Sequence, residues 1–297
     1  MTPPTLRTFA DVLDEYEAER SNPDYSPIRL GFAELDSDMR GVSAGQVCLV
    51  VARAAVGKSF LLGSVLDHFA AGRPAEGALM LSLEMPAVEW AERQLAIYAN
   101  VSPEDVEKWA QRKEIGERSQ AFRERTRNLL LCESGLRLAE IPAAIEQART
   151  MLAPVPLSLV GIDYLGLVVG VGNSDYERSS GIARGLKQVA KDKHVALLVA
   201  AQLSRAAGDG SEPVGMEMIR DSGAIEEAAD FVIGCWRPGE AKGLGYEEQS
   251  DLENTIRAKL LKNRKGKKGR ELDLAFHTQS RKVYAPAAEM ENDSGAL

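Results

Sequence analysis

Gly57, Lys58 and Ser59 stand together at the end of the segment ARAAVGKS, which has the spacing of a P-loop. In a P-loop the backbone N–H groups surround the phosphates of a nucleotide, the lysine reaches the terminal phosphates and the serine hydroxyl binds Mg²⁺. The residues that we expect to surround the nucleotide are Ala52, Arg53, Ala54, Ala55, Val56, Gly57, Lys58 and Ser59. Ala52 replaces the first glycine of the usual pattern, but the segment follows an apolar run, VCLVV, that predicts a strand. This context favours a nucleotide site over an ordinary strand-to-helix turn.

Three more polar residues stand directly after apolar runs that predict strands: Glu84 follows LMLSL, Asp163 follows LSLVGI and Gln202 follows ALLVAA. Hydrolysis of ATP needs a metal ligand and a base that orients water. Asp163 would hold Mg²⁺ through water, Glu84 would polarise the attacking water, and Gln202 would sense the γ-phosphate by hydrogen bonding. Ser59, Asp163 and Glu84 are therefore the candidate Mg²⁺ residues. Taken singly, each of the three strand-end residues could instead be a solvated strand end or a turn residue.

The elements that must position these residues follow an alternating pattern. Apolar runs alternate with stretches of helical periodicity, which predicts an α/β fold with a mostly parallel sheet covered by helices on both faces. In such sheets ligands bind at the carboxyl ends of the strands. Because the P-loop, Glu84, Asp163 and Gln202 all follow predicted strands, we expect them to converge on one site. The prediction of a nucleotide site rests on this convergence and not on any single motif.

The predicted elements cover most of the chain. The strands are residues 47–51, 78–83, 129–132, 157–162, 195–201 and 231–236, and the helices are residues 58–71, 87–98, 103–113, 115–127, 138–152 and 177–193. Residues 31–46 form a turn-rich entry segment in which Phe32, Leu35 and Met39 are packing residues. Residues 255–262 and 271–276 predict a C-terminal β-hairpin around a glycine-containing turn, and a last strand includes residues 282–284.

The turn of the predicted hairpin is strongly basic. Its cations are Lys259, Lys262, Arg264, Lys265, Lys267, Lys268 and Arg270. A solvated hairpin tip is the usual interpretation of such a run. The tripeptide Lys262-Asn263-Arg264 favours a second interpretation, in which Arg264 acts across a subunit boundary as an arginine finger on the neighbour's ATP, with Lys262 assisting.

The N-terminal segment predicts a short amphipathic helix that ends before residue 22. Its apolar residues at helical spacing are Leu6, Phe9, Val12, Leu13 and Tyr16, and acidic residues lie between them. A polar linker, residues 21–26, separates this helix from the rest, so the helix either caps its own domain or docks on a neighbouring subunit. We expect residues 1–26 to form an N-terminal arm, residues 27–284 one domain, and residues 285–297 a disordered tail.

Composition excludes several classes of protein. A formal net charge of −8 argues against a protein that coats nucleic acid with its whole surface, although a local basic site is compatible with it. Cys48, Cys132 and Cys235 lie far apart in apolar runs, which predicts buried thiols in a reducing compartment. The three histidines are isolated, which argues against zinc. Since there is no signal peptide and no apolar run long enough to span a bilayer, we expect a soluble cytoplasmic protein that does not bind membranes.

The motifs ARAAVGKS, LSLEM, LVGIDYLGL, AAQLSR, IRDSGAIEEAADFVIGCWR and LLKNRKG occur in this order. In this order they resemble the ATPase domain of DnaB-type replicative helicases over roughly residues 27–284. The segment at residues 220–230 is the most distinctive, and the family tolerates alanine at position 52. The resemblance implies a RecA-like fold, a ring of six subunits, Mg-ATP at the subunit boundaries and single-stranded DNA in the central channel. It implies that Lys58, Ser59, Glu84, Asp163 and Gln202 act in one subunit, and that Lys262 and Arg264 act in the next.

The resemblance also implies where DNA and protein partners bind. The loops at residues 170–176 and 205–214 would face the channel, where Arg205 would follow the DNA backbone although acidic residues share its loop. Arg178, Arg184 and Lys187 on the following helix either face the channel or are solvated. The N-terminal helix resembles the linker helix that docks on an adjacent protomer. About 26 residues precede the ATPase domain, so we expect a stand-alone form, encoded by a phage or plasmid in a bacterial cell, with a primase or a helicase loader as partner.

Four hypotheses about function follow. The first is an ATP-dependent motor that moves on single-stranded DNA, five-prime to three-prime by resemblance, and unwinds forked DNA during replication. The second is a RecA-like recombination ATPase that forms filaments, and the third is a nuclease that processes branched DNA with Mg²⁺ near Glu84 and Asp163. The fourth is an interaction module that does not hydrolyse ATP. The KNR turn and the glutamate of LSLEM favour the first hypothesis, whereas no separate nuclease motif is present and the complete catalytic set argues against the fourth.

Overall fold

The computed structural model describes residues 6–22, 25–170, 174–203, 209–219 and 222–286. Within these ranges the strands are β1 (Val47–Ala52), β2 (Gly77–Ser82), β3 (Leu129–Cys132), β4 (Leu157–Asp163), β5 (Ala196–Gln202), β6 (Phe231–Trp236), β7 (Thr255–Asn263), β8 (Glu271–Phe276) and β9 (Val283–Tyr284). All nine form one sheet in the order β3-β2-β4-β5-β1-β6-β7-β8-β9. The first six strands pair in parallel, and β7, β8 and β9 continue the sheet in antiparallel fashion. The predicted α/β fold and its C-terminal hairpin are confirmed.

The helices lie on both faces of this sheet. They are α1 (Phe9–Ser21), α2 (Ala33–Met39), α3 (Lys58–Gly72), α4 (Ala87–Ala99), α5 (Pro103–Gln111), α6 (Ile115–Arg118), α7 (Gln120–Arg125), α8 (Ile141–Leu152), α9 (Asp175–Asp192), α10 (Ser222–Ala228) and α11 (Tyr246–Leu252). One apolar core packs α2 and α3 against the sheet, and a second packs α8 and α9 against the opposite face. Because both faces are covered, every residue of β1, β2 and β6 is buried.

Helices α4 to α7 form a small helical lobe, residues 87–125, with an apolar cluster of its own. Leu95, Ala96 and Val106 are its buried residues, and partly buried side chains such as Phe122 pack against them. The helix predicted over residues 115–127 is wrong as one element, because the chain forms two short helices that meet at Ser119. The lobe is inserted between β2 and β3, so α4 follows β2 and α7 leads into β3.

The entry segment contains a helix that sequence periodicity did not predict. In α2, the Asp36 carboxylate accepts hydrogen bonds from the backbone N–H groups of Leu30, Gly31 and Phe32, at 2.7, 2.9 and 3.1 Å. Asp36 itself is buried, and burial raises the pKa of its carboxyl group. The predicted packing residues of this segment, Phe32, Leu35 and Met39, are all buried. This part of the prediction is therefore confirmed, although the seven-residue helix was missed.

The N-terminal helix α1 is capped but uncovered. The Thr8 hydroxyl accepts a hydrogen bond from the Asp11 N–H, and the Asp11 carboxylate accepts one from the Thr8 N–H, which forms a capping box. None of the α1 residues is buried, and Phe9 is 85% exposed. The predicted helix is confirmed, and its apolar side has no cover within the described residues. Residues 1–5 and 287–297 lie outside the described ranges.

Two further expectations concern thiols and membranes. Cys48 and Cys235 are buried as predicted, whereas Cys132 is only half-buried because it ends the edge strand β3. The prediction of a buried thiol is therefore wrong for Cys132. Among the described residues, no helix combines the length and the apolar character needed to cross a membrane.

Candidate functional site

The P-loop connects β1 to α3 with an unusual backbone conformation. Ala55 has a φ of 65° and Gly57 a φ of 116°, so the chain turns through left-handed geometry just before α3 begins at Lys58. A Cβ atom added at Gly57 would lie 3.1 Å from Cδ1 of Ile256. Position 57 therefore requires glycine for its conformation, and an added Cβ would also crowd Ile256. Such a turn at a helix N-terminus presents backbone N–H groups to an anion.

Lys58 lies across the inside of this loop. Its Nζ donates hydrogen bonds to the carbonyl oxygens of Arg53 at 2.9 Å and Ala52 at 3.3 Å. Burial lowers the pKa of Lys58, while the negative charges of Asp163 and Glu84 oppose that shift. A phosphate oxygen is a stronger acceptor for an ammonium group than a neutral carbonyl. Lys58 therefore lies where its ammonium group would bind a polyphosphate, which is a stronger acceptor than the two carbonyl oxygens.

Asp163 ends β4 and is 2% exposed. Burial raises the pKa of its carboxyl group, and a hydrogen bond from the Ser59 side chain and the charge of Lys58 act in the opposite direction. Its Oδ1 atom is buried without a hydrogen-bond partner among the described residues. A buried, unpartnered carboxylate oxygen beside a serine hydroxyl fits Mg²⁺, which takes few protein oxygens and completes its shell with water and phosphate. No group of three or more His, Cys, Asp or Glu side chains in the described ranges is placed to hold a metal by itself.

The strand ends meet around one cleft of about 420 Å³ at the carboxyl edge of the sheet. Of the predicted site residues, its lining includes Ala54, Ala55, Gly57, Lys58, Ser59, Glu84 and Gln202. Asp163 lies in register with the end of β2 and contacts Ser59, and Gln202 pairs in register with Ala52. Glu84 and Gln202 are exposed in the open cleft, where a ligand would meet them. The structure thus brings these side chains together, while their chemical roles stay predictions.

Sequence reasoning missed two arginines at this site. Arg237 follows β6 directly, and its Nε donates a hydrogen bond to the Val56 carbonyl of the P-loop at 3.1 Å. Its guanidinium also stacks on the Phe276 ring at 4.6 Å. Arg93 on α4 lines the cleft, and its charge opposes the rise in the pKa of Asp163 that burial causes. A cation directly after a strand is a signal that could have identified Arg237, since the other strand ends carry the other polar site residues.

Lys262 and Arg264 lie at the opposite end of the strands from the P-loop. Because β7 runs antiparallel to β6 and Asn263 pairs with Phe231, this turn sits beside the amino end of β6. The length of the six-residue strand, about 20 Å, separates the two edges. The structure therefore does not bring Lys262 or Arg264 to the cleft of their own chain. This placement is compatible with a role at a neighbouring subunit and excludes one in the same subunit.

Most cations of the basic turn are paired within the fold. Lys259 lies 2.6 Å from Glu271, and Arg270 pairs with Asp38. Lys265 donates to the Gly41 carbonyl at 2.8 Å, and burial lowers its pKa to about 8. A wholly solvated tip is therefore not what the structure shows.

The regions expected to contact DNA are only partly described. Residues 171–173 and 204–208, with Arg205, lie outside the described ranges. Lys187 on α9 is bonded to the Asp230 carboxylate and to the Gly45 carbonyl, each at 2.7 Å, so its solvated alternative is wrong. Arg184 is mostly exposed and lies 3.8 Å from Glu227.

Comparison with known proteins gives one consistent result. The model of the family described as the DnaB-like helicase C-terminal domain matches residues 27–284. The replicative DNA helicase DnaC of Bacillus subtilis strain 168 is 29% identical over 267 residues, which is 85% of this chain and 55% of that protein. DnaB of Geobacillus stearothermophilus is 29% identical over 263 residues, 84% of this chain and 54% of that protein. The chain therefore spans about half the length of the curated relatives it matches.

Two solved structures share the fold. One is an isolated ATPase domain, which superimposes with a TM-score of 0.77 at 24% identity and covers 93% of this chain and 97% of that domain. The other is a DnaB-like replicative helicase, studied with its interactions with primase, which gives a TM-score of 0.76 at 22% identity over 95% of this chain and 67% of the other. These similarities confirm the predicted RecA-like architecture.

Proposed function

Because the chain belongs to the family of DnaB-like helicase C-terminal domains, we propose that it is an ATP-dependent DNA helicase that moves on single-stranded DNA and unwinds replication forks. The observation that carries the proposal is the cleft in which a P-loop, a buried carboxylate, an exposed glutamate and a glutamine from four different strands lie together. Each of these groups has a defined use in phosphoryl transfer.

Each group in the cleft has its own role in the hydrolysis of ATP. The P-loop N–H groups and Lys58 bind the β- and γ-phosphates of ATP, and Ser59 with Asp163 would hold Mg²⁺. Mg²⁺, when bound, supplies positive charge to the phosphate oxygens. Glu84 orients the attacking water and accepts its proton, and Gln202 donates a hydrogen bond to the γ-phosphate. The nearby Arg237 holds the loop through the Val56 carbonyl.

The remaining cation is supplied by a second copy of the chain. Neighbours in a closed ring meet through two different surfaces, so a residue far from its own cleft can complete the cleft of the next subunit. Arg264 lies at the sheet edge opposite the P-loop, and its side chain is 46% exposed. We assign it the role of arginine finger, with Lys262 beside it.

Helix α1 supports assembly into a ring, which we propose to have six subunits. Its apolar side is uncovered, and the helical lobe carries a groove of about 430 Å³ lined mainly by apolar side chains. The groove includes Val88, Leu95, Val106, Ile115 and Phe122. Since an apolar helix face and an apolar groove bury each other's surface, we assign the groove of one subunit to α1 of its neighbour. We propose that it works in the cytoplasm of a bacterial cell, with a primase or a helicase loader as its partner.

A strand-displacement assay on a forked duplex tests the proposal. ATP should support displacement of the strand, and a non-hydrolysable analogue should support binding without displacement. Lys58→Ala should abolish both hydrolysis and displacement, and Lys108→Ala, on the exposed face of α5, is the matched control. Cleavage of the fork without ATP would favour a nuclease, and filaments in place of rings by electron microscopy would favour a recombination ATPase.

A further inference from the structure

We propose that Asp230 is a positioning residue for Arg264, holding its guanidinium where it can reach a nucleotide bound to the neighbouring subunit. The inference rests on the proposed role of Arg264 as an arginine finger. It concerns a buried carboxylate that the site described above does not use. Asp230 directly precedes β6 and is 4% exposed.

Two donors from distant parts of the chain fix the Asp230 side chain. Its Oδ2 accepts hydrogen bonds from the backbone N–H of Val47 at 2.8 Å and from Nζ of Lys187 at 2.7 Å. Lys187 is itself held, because it also donates to the Gly45 carbonyl at 2.7 Å. With Oδ2 bound by β1 and α9, the carboxylate has a defined orientation and presents Oδ1 to Arg264 at 3.4 Å. The orientation of the carboxylate is therefore fixed independently of its contact with Arg264.

Arg264 is bound to the same region at both backbone and side chain. Its N–H donates to the Asp230 carbonyl at 3.0 Å, and its Nη2 donates to the Glu227 carbonyl at 2.5 Å. Lys262 follows the same pattern, since its Nζ donates to the Ala229 carbonyl at 2.7 Å. Both cations thus sit on carbonyl oxygens at the C-terminal end of α10 and just beyond it. This end of a helix carries partial negative charge, which favours cations there.

The arrangement leaves part of the guanidinium available. With 46% of its side chain exposed, Arg264 is held on one side and accessible on the other. A long arginine side chain otherwise samples many rotamers, and fixing it in advance removes that cost from the reaction. Preorganised charge is the form in which a transition-state contact is most effective. Asp230 has the position and the rigidity to provide it.

A competing explanation assigns Asp230 to its own nucleotide site. The hydrogen bond to Val47 supports the start of β1, and β1 leads to the P-loop. Loss of Asp230 could then lower activity by disturbing the cleft of the same subunit. The two explanations differ in which subunit loses ATP hydrolysis, the one that carries the substitution or its neighbour. Mixed assemblies distinguish them.

The first measurement is DNA-stimulated ATP hydrolysis by Asp230→Asn. We expect kcat to fall by about 10- to 100-fold with KM for ATP nearly unchanged, since misplacement of a catalytic group by about 1 Å costs up to about 10²-fold. Lys187→Met is the comparison variant, because it removes one of the two groups that orient Asp230 but leaves the Val47 N–H bond and the Asp230–Arg264 contact. It should lower kcat clearly less than Asp230→Asn does. Equal losses in the two variants, or a rise in KM for ATP in Asp230→Asn, would overturn the proposal.

The second measurement is complementation between inactive subunits. Lys58→Ala subunits have a defective cleft and an intact finger, so mixing them with Asp230→Asn subunits should restore hydrolysis above the sum of the separate rates. If Asp230 serves its own cleft, both defects fall in the same place and the mixture stays inactive, which overturns the inference. Arg264→Ala mixed with Lys58→Ala is the reference. If only this reference mixture recovers, the finger stands and the role of Asp230 fails; if it does not recover, the finger assignment fails and the inference with it.

A second variant keeps the test usable if Asp230→Asn does not fold. Asp230→Asn leaves Lys187 without its carboxylate and could prevent folding, which thermal unfolding would reveal. The double variant Asp230→Asn/Lys187→Met removes both charges of the pair. It should show the same fall in kcat as the single variant and the same recovery with Lys58→Ala. Hydrolysis by the double variant at the wild-type rate would contradict the assigned role.

Discussion

At the scale of single residues, Gly57 is the clearest case in which conformation dictates residue type. We expect Gly57→Ala to weaken nucleotide binding by at least about tenfold and to destabilise the fold by about 1 kcal/mol or more, because alanine resists a φ of 116° and its Cβ would press on Ile256. Binding of a fluorescent ATP analogue and thermal unfolding measure the two effects. Gly72→Ala is the control, since nothing lies within 4 Å of an added Cβ at the end of α3. Equal affinity in Gly57→Ala and the wild type would count against the P-loop geometry.

Glu84 is the residue to which we assign the proton transfer. Glu84→Gln should bind Mg-ATP with nearly normal affinity and hydrolyse it about 10²- to 10⁴-fold more slowly, because the amide cannot accept a proton from water. Single-turnover hydrolysis separates this chemical step from binding. Glu89→Gln, which alters a second carboxylate of the same cleft, should leave the rate within a fewfold of the wild type. The base would have to be sought elsewhere if the two variants behaved alike.

We expect Asp163 to lower the stability of the ligand-free fold although hydrolysis needs it. Burial raises the pKa of its carboxyl group, so in the ligand-free fold the ionised form is disfavoured relative to the unfolded chain. This cost is present at neutral pH and declines as the pH falls toward the raised pKa. Asp163→Asn should therefore unfold at a higher temperature than the wild type at pH 7, by ~2–4 °C for each kcal/mol gained, with the difference shrinking in acid. The same variant should lose Mg²⁺-dependent hydrolysis, and a lower melting temperature at pH 7 would refute the argument.

Sequence could locate some site residues and not others for a physical reason. Glu84, Asp163 and Gln202 follow apolar strands, and parallel strands bring their carboxyl ends to one edge, so local pattern plus one topological rule suffices. Arg237 contacts Val56 across 181 residues of sequence, and Arg93 reaches the cleft because of how α4 packs. Such contacts depend on tertiary geometry, which periodicity does not encode.

At the scale of elements, the strands were predictable from the sequence and the short helices were not. The bounds predicted for β3, β6 and β8 match those observed, since polar or glycine-containing segments flank each strand. Helices α2, α10 and α11 have seven residues each, too few for a helical period to stand out from a loop. In α2 the helix depends on a buried carboxylate that binds three backbone N–H groups, a contact visible only in the folded chain.

Helix α1 carries the prediction that belongs to this scale. Phe9→Asp should dissociate the assembly into smaller species, because a carboxylate on the uncovered apolar side of α1 cannot enter an apolar groove without a large desolvation cost. Phe9 is 85% exposed in the single chain, so the thermal stability of the dissociated subunit should not change. Analytical ultracentrifugation gives the mass of each species.

Controls for α1 come from both partners of the contact. Val88→Asp, at the groove and 80% exposed, should reproduce the dissociation from the other side. Glu17→Gln, on the same helix but without an apolar contact to lose, should leave the assembly intact. Rings that persist in both Phe9→Asp and Val88→Asp would assign the groove to a different partner.

At the scale of the whole molecule, the separation between the cleft and Arg264 makes activity a property of the assembly. Hydrolysis per subunit should rise steeply with protein concentration and level off where rings form, since a lone chain cannot bring its own Arg264 to its own nucleotide. Phe9→Asp should therefore lose most hydrolysis while it still binds the ATP analogue with an intact P-loop. Parallel titrations of binding and turnover against concentration test this. A rate per subunit that is independent of concentration down to dissociated chains would contradict it.

Strand β1 has the phosphate loop at one end and, at the other, the Val47 N–H that is bonded to Asp230. If Arg264 acts on the neighbour's nucleotide as proposed, six residues of extended backbone join the nucleotide-binding end of a subunit to its contact with the next subunit. An extended strand inside a sheet hardly stretches, so a displacement at one end arrives at the other nearly undiminished. On that proposal, we expect hydrolysis at one nucleotide site to shift the geometry of the adjacent site, so that turnover proceeds from subunit to subunit in a fixed order.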